Sequence, residues 1–178
     1  MDKKGEIDNL TRIIKPDIGI ITNISYAHSK NFKNIQNIAE AKAEIMNNIK
    51  ENGSIVLNSD DSFYDYHKKY AYKQKLNLIS FGIKDKTAMI KLVKIKRIKK
   101  KFLLFINVKG LSTFFYSNND NKSHLYNILA TLASISLYID IKKLKKDIFL
   151  KFKTPIGRGD ISKIKLKNKK FFLVDETY

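Results

Sequence analysis

The sequence predicts an α/β fold: a mostly parallel sheet with crossover helices, joined by a small antiparallel meander. Three observations carry that expectation. Between residues 15 and 82, short apolar runs of strand length alternate with stretches of helical period, the pattern of parallel strands linked by helices. Residues 88–98 switch to period two, apolar alternating with basic, and two more strand-like runs follow to residue 117, as antiparallel strands with one wet face require. From Ser123 the helical period returns. The chain has 178 residues, 43% of them hydrophobic, so one domain of ordinary size with a real core is available.

The elements follow in order. "KPDIGIITNI" (15–24) starts at Pro16 and is apolar from Ile18 to Ile21, which reads as a buried strand. A helix over 35–49 follows, then Gly53 and the strand "SIVLN" (54–58). "DDSFYDYHKKYAYK" (60–73) reads as a helix with Asp60 or Asp61 as its N-cap. "LNLISFG" (76–82) is the third strand of the parallel set. The meander comprises "AMIKLVKIKRI" (88–98), "KFLLFINVKG" (101–110) and "STFFYS" (112–117). "SHLYNILATLASISLYI" (123–139) is a helix expected to pack on the sheet, and "KKLKKDIFLKF" (142–152) a second, amphipathic one. "TPIGRGD" (154–160) breaks the pattern. Two strands, "ISKIKLK" and "KFFLVDE", flank Asn168, the second ending as a core strand at Val174-Asp175.

Composition excludes several classes. No cysteine is present, so there is neither a disulfide framework nor a thiolate zinc site. No apolar run approaches the roughly 18 residues of a membrane span, and the first ten residues lack a signal peptide's apolar core. A cytoplasmic protein is expected. The net charge of +18 raises the alternative of a basic nucleic-acid-binding protein. Of 35 basic residues, however, only Arg12, Arg97 and Arg158 are arginine, the side chain whose fork suits phosphates and base edges. Lys, Ile and Asn share A/T-rich codons, so compositional bias explains the charge without selected binding, and no specific nucleic-acid partner is expected. The run "KIKRIKKK" (94–101) alternates with Ile95 and Ile98 and reads as an exposed strand face.

One lysine contradicts its helix. At about 100° per residue, Ile35, Ile38, Ala39, Ile45, Met46 and Ile49 share one side of the 35–49 helix, within roughly 120° of arc. Lys42 falls inside that arc, between Ala41 and Ala43. Snorkelling past the helix end is one reading of such a lysine; a functional amine is the other. In open α/β sheets ligands bind beyond the carboxyl ends of the strands. His28, just past the first strand, can reach that same rim.

The ordered motifs favour the functional reading. Gly5-Glu6-Ile7, Pro16-Asp17, Thr22-Asn23-Ile24, Ala27-His28, Phe32 and Ala41-Lys42-Ala43-Glu44-Ile45 come in sequence, followed by "VLNSDD" (56–61), Asn127 in "NILATLA", Gly157-Arg158 and "DETY". This series resembles the central domain of the Mur ligases, and within them the members that add D-Ala-D-Ala to UDP-N-acetylmuramoyl-tripeptide. The resemblance implies an ATP- and Mg²⁺-dependent ligase of peptidoglycan precursor synthesis that works through an acyl phosphate. It implies that Lys42 is carbamylated and orients Mg²⁺, that His28 is a Mg²⁺ ligand, that Asn127 contacts adenine, that Arg158 reaches the ATP phosphates and that Glu176 contacts the ribose. An amine desolvated among alanines has a lowered pKa, and the neutral amine is the form that reacts with CO₂.

Departures from the family pattern set further expectations. No G-x-x-G-K-[ST] phosphate loop occurs in the chain; in the family it lies upstream, and a family Mg²⁺-binding glutamate would precede Met1. Ser123-His124 stand where the family has His-Asn, and Ser29-Lys30 where it commonly has Leu-Glu. A domain rarely ends at the tip of a core strand, as "DETY" would have it. Residues 1–178 are therefore expected to be part of a Mur ligase central domain, incomplete at both ends and inactive alone. The alternatives are a fragment of another Mur-type amino-acid ligase and the nucleic-acid-binding protein.

Overall fold

The computed structural model describes residues 3–26, 32–152, 160–166 and 169–175. Six strands form one sheet in sequence order: β1 (Ile18–Ile21), β2 (Ser54–Asn58), β3 (Asn77–Gly82), β4 (Ile90–Ile98), β5 (Lys101–Val108) and β6 (Leu111–Ser117). β1, β2 and β3 run parallel, and β4 to β6 form the antiparallel meander. The meander extends the same sheet, because the end of β3 pairs in parallel with the start of β4 through Phe81–Ile90 and Gly82–Lys91.

Burial on both faces explains the apolar strands. On one face Ile55 and Leu57 of β2 join Ile38, Ala39, Ala43 and Met46 from α2 (Ile35–Ala43) and its continuation, and Ala71 from α3 (Tyr64–Lys73). On the other, Val56, Ile79, Phe81, Leu104 and Phe115 meet Leu125, Ile128, Leu129 and Leu132 of α4 (Lys122–Ile135). Every residue of β2 is buried, as a central parallel strand requires. The result is helix, sheet, helix over the parallel half.

Several boundaries differ from the sequence expectation. Residues 5–14, which the pattern left without an element, hold a helix, α1 (Glu6–Ile14). The 35–49 helix is α-helical only to Ala43 and tightens to a 3-10 turn at Glu44–Asn48. The Glu44 carboxylate explains both: it accepts from the backbone N–H of Gly5 at 2.8 Å and of Asp8 at 3.3 Å, satisfying the first turn of α1 in place of a local cap. Gly5 carries φ 91° there, a left-handed conformation that favours glycine. The helix expected over 142–152 is two 3-10 turns, Ile141–Lys143 and Ile148–Lys151. Its middle instead meets the sheet edge, where Lys146 O accepts from Tyr116 N–H at 2.7 Å, while Ile141 and Phe149 are buried. The α4 helix stops at Ile135, four residues short of expectation. The last two strands, β7 (Asp160–Leu166) and β8 (Lys169–Asp175), pair antiparallel as a sheet of their own, so β8 is not a strand of the main core.

Asp60 was a candidate cap for α3, but the helix begins at Tyr64 and Asp60 serves another segment. Its carboxylate accepts from the backbone N–H groups of Ile83 (2.7 Å), Lys84 (2.9 Å) and Asp85 (2.8 Å), and from the Tyr126 hydroxyl at 2.8 Å. Those bonds hold the short β3–β4 connection, and through Tyr126 they tie α4 to it. Gly82 is needed because a Cβ there would stand 2.7 Å from Ser59 Oγ and 3.2 Å from Asp60 Oδ1. Desolvation raises the Asp60 pKa, but the donors from Lys84, Ile83, Asp85 and Tyr126 outweigh it, leaving the carboxyl below the ordinary carboxylate range. Stability from this group is therefore present above an unfolded carboxyl pKa of about 3.9 and is lost as pH falls through the lower folded value. Asp60→Asn would turn an amide N–H₂ toward backbone donors, a loss of roughly 2 kcal/mol at neutral pH. Urea unfolding should show that loss at pH 7 and a smaller gap between variant and parent near pH 3.

Candidate functional site at the carboxyl rim of the parallel strands

The rim is built by the residues that follow β2. Asn58, buried, donates from Nδ2 to Thr22 O at 2.9 Å, fixing the end of β1 beside the end of β2. Asp61 accepts from Ile24 N–H through Oδ2 at 2.8 Å and from Phe63 N–H through Oδ1 at 2.9 Å. The segment Thr22–Ile24 is thus held from the β2 side by two side chains. From the other side comes Lys42, the one basic residue of α2, whose Nζ donates to Asn23 O at 2.7 Å.

Lys42 does not extend into solvent. Its side chain is half-buried, between the fully buried Ala41 and Ala43. Desolvation lowers its pKa, and the Asp61 carboxylate acts in the opposite direction through space without cancelling the effect. Beneath it lies a residue the sequence reading did not single out. His67 of α3 is buried, with Nε2 3.0 Å from Ala39 O, so the ring joins α3 to the backbone of α2 one turn before Lys42. Burial holds the His67 pKa below its ordinary value, and a neutral ring donating N–H to that carbonyl fits the distance. The clue in the sequence was its i, i+4 spacing from Ala71 on the apolar side of α3, which marks a core position.

Of the other predicted site residues, Asn127 lies on α4, exposed, adjacent to the Tyr126 whose hydroxyl meets Asp60. It therefore sits near the same rim as Lys42, on the helix packed against the other face of the sheet. His28, Arg158 and Glu176 lie outside the described residues. His124, in the unusual Ser123-His124 pair, is buried with Nε2 3.0 Å from Ser117 Oγ and its ring edge-on to Phe152, which is a packing role.

A Mg²⁺ ion asks for oxygen donors. Among the described residues no three His, Cys, Asp or Glu side chains cluster to hold a metal. At the rim Asp61 already accepts two backbone N–H groups, and an unmodified ammonium repels a cation. These side chains fit Mg²⁺ only if Lys42 carries added oxygens, as a carbamate does.

Residues 1–135 match the family profile described as the Mur ligase middle domain. Along 99% of its length the chain is 30% identical to the UDP-N-acetylmuramoyl-tripeptide–D-alanyl-D-alanine ligase of Buchnera aphidicola subsp. Acyrthosiphon pisum, and it spans 38% of that relative. Its fold superposes on a crystal structure of MurF from Acinetobacter baumannii with a TM-score of 0.82 at 22% identity, covering 100% of this chain and 37% of that one. A MurF ligase from Thermotoga maritima in complex with ADP gives 0.76 at 24% identity, covering 99% and 39%.

The lowered pKa of Lys42 has a direct chemical test. More of its amine is neutral at pH 8 than for an exposed lysine, so dilute cyanate, which adds to neutral amines, should modify it ahead of the solvated lysines. Peptide mass spectrometry against pH should show Lys42 labelling begin at lower pH than that of the exposed Lys69 or Lys143. Labelling in step with those residues would mean an ordinary surface ammonium.

Proposed function

The chain belongs to the Mur ligase family, matched through its middle domain, and from that premise we propose that it forms part of the central ATP-dependent domain of a ligase joining D-Ala-D-Ala to UDP-N-acetylmuramoyl-tripeptide. The observation that carries the proposal is the placement of Lys42: a half-buried amine with a lowered pKa, fixed on Asn23 O at the carboxyl rim of a parallel sheet. The 30% identity to a D-Ala-D-Ala-adding ligase along nearly the whole chain supports that choice of acceptor over another Mur-type amino acid. The whole protein's substrates follow from this reading.

In the proposed reaction ATP phosphorylates the terminal carboxylate of the tripeptide, and the amine of D-Ala-D-Ala displaces phosphate from the acyl phosphate. Neutral Nζ of Lys42 adds to the carbon of CO₂, one C=O electron pair moves to oxygen, and the nitrogen loses a proton to solvent. The resulting carbamate is an anion with two oxygens, which with His28 would hold Mg²⁺. When bound, that ion neutralises crowded phosphate oxygens. Asp61 and Asn58 keep the Thr22–Ile24 segment in place, and His67 fixes the α2 turn that presents Lys42. Asn127, Arg158 and Glu176 are assigned to adenine, phosphates and ribose respectively.

Two measurements test this reading. With ¹³C-bicarbonate, the 178-residue chain should show a carbamate carbon resonance that Lys42→Arg removes and that grows as pH rises from 7 to 9; no such resonance would argue against the carbamate. In a hybrid enzyme where residues 1–178 replace the matched segment of the Acinetobacter baumannii protein, pentapeptide formation should require ATP and D-Ala-D-Ala. Lys42→Ala should reduce it by about a thousandfold or more, with formate or acetate restoring part by supplying the missing carboxylate. Ligation unaffected by Lys42→Ala would overturn the assignment.

A further inference from the structure

We propose that the open face of the β4–β6 meander is a peripheral contact surface for bilayers containing anionic phospholipid. The strand register defines that face. Ile95, Leu104 and Phe115 pair across the strands and point into the core, so their neighbours point out. Lys94 lies opposite Phe105 and Phe105 opposite Phe114; Lys96 lies opposite Leu103 and Leu103 opposite Tyr116; Ile98 lies opposite Lys101. Among the described residues no helix covers these positions. Val93, at the irregularity where the β4 register shifts, is 59% exposed, and Phe114 and Ile98 are 37% and 39% exposed. A shallow groove of about 440 Å³ runs between Val93, Lys94, Lys96 and Phe105.

Charge on this element is segregated. Residues 90–117 contain Lys91, Lys94, Lys96, Arg97, Lys99, Lys100, Lys101 and Lys109 and not one Asp or Glu, although the chain holds 17. A bias toward lysine codons gives no reason for carboxylates to be missing from residues 90–117. Lysines ringing exposed apolar residues are what a membrane–water boundary accepts: stems and rings lie in the interface while ammonium groups stay with the headgroups. The details disfavour a nucleic acid. Phe114 is turned edge-on to Tyr116 at 5.9 Å with Lys146 Nζ 5.5 Å from its centre, so it is no open platform for a base. The only arginine of these strands, Arg97, lies over Phe102 on the opposite face.

The test is vesicle co-sedimentation of the 178-residue chain at about 150 mM salt, where weak screened attractions fade. Vesicles of phosphatidylglycerol mixed with phosphatidylcholine should bind it, and pure phosphatidylcholine should not. Lys94→Gln with Lys96→Gln should weaken binding by roughly 25-fold, about fivefold for each lysine at the surface. Lys142→Gln with Lys143→Gln, an equal charge change elsewhere, should alter it by no more than about twofold. Val93→Ser with Phe114→Ser should also weaken it at unchanged charge, with circular dichroism confirming that each variant is folded. The proposal is overturned if the mixed vesicles fail to bind, if the two lysine pairs act alike, if the apolar pair has no effect, or if a single-stranded oligonucleotide binds more tightly and depends on Phe114.

Discussion

The four residues after the apolar part of β2, Asn58 to Asp61, are the constraint on which the parallel half of the molecule depends. Each reaches a different neighbour. Asn58 takes the end of β1, Ser59 donates its N–H to Phe81 O at the end of β3, Asp60 takes the β3–β4 connection and Tyr126, and Asp61 takes Ile24. Parallel strands leave their carboxyl ends without a common turn, so the backbone groups there need partners from outside the ladder. Supplying several of them from one tetrapeptide at the end of the central strand ties the rim together. A functional site at that rim inherits its rigidity.

Two residues apart in the "AKAEI" stretch, Lys42 and Glu44 take opposite parts in this arrangement. Glu44 is buried and satisfied: its carboxylate closes the first turn of α1 and so fixes the GEI segment against α2. Lys42 is half-buried with one hydrogen bond to a carbonyl, and desolvation works against its charge. Half-burying an ammonium against its desolvation cost is a local concession in stability of the kind expected at functional positions. The 3-10 turn that begins at Glu44 serves two neighbours, carrying the carboxylate to α1 and burying Met46 against the sheet.

Much of this was legible in the sequence because burial on a sheet leaves a simple pattern. β1 to β6 fall where the apolar runs and the period-two stretch put them, and the angular position of Lys42 alone marked it as anomalous. Legibility failed where long-range hydrogen bonds decide. Nothing local in "EIDNLTRII" says that a carboxylate 36 residues away will accept from its first turn. The lysine-rich 142–152 segment has a helical pattern, yet a bond to the β6 edge and the burial of Phe149 divide it. At the site, Asn58 and Asp61 stood in the quoted "VLNSDD" motif without these roles and His67 was not singled out, for the same reason: each acts on backbone of another element, and only the fold shows which.

A lysine in this chain is informative through its surroundings and not through its number. With 35 basic residues against 17 acidic ones, any single cation is expected on compositional grounds alone. Lys50, exposed and paired with Asp17 at 2.9 Å, illustrates the ordinary case and contributes little. Lys42 departs from it because its neighbours are alanines and its partner is a carbonyl oxygen. The meander lysines depart from it because residues 90–117 hold no Asp or Glu and their exposed apolar side chains lie beside the ammonium groups. In both places the feature that composition cannot supply is the company the ammonium keeps. Desolvation in the first case lowers the pKa of the amine, while in the second a run of cations without carboxylates in residues 90–117 sets up a field of one sign.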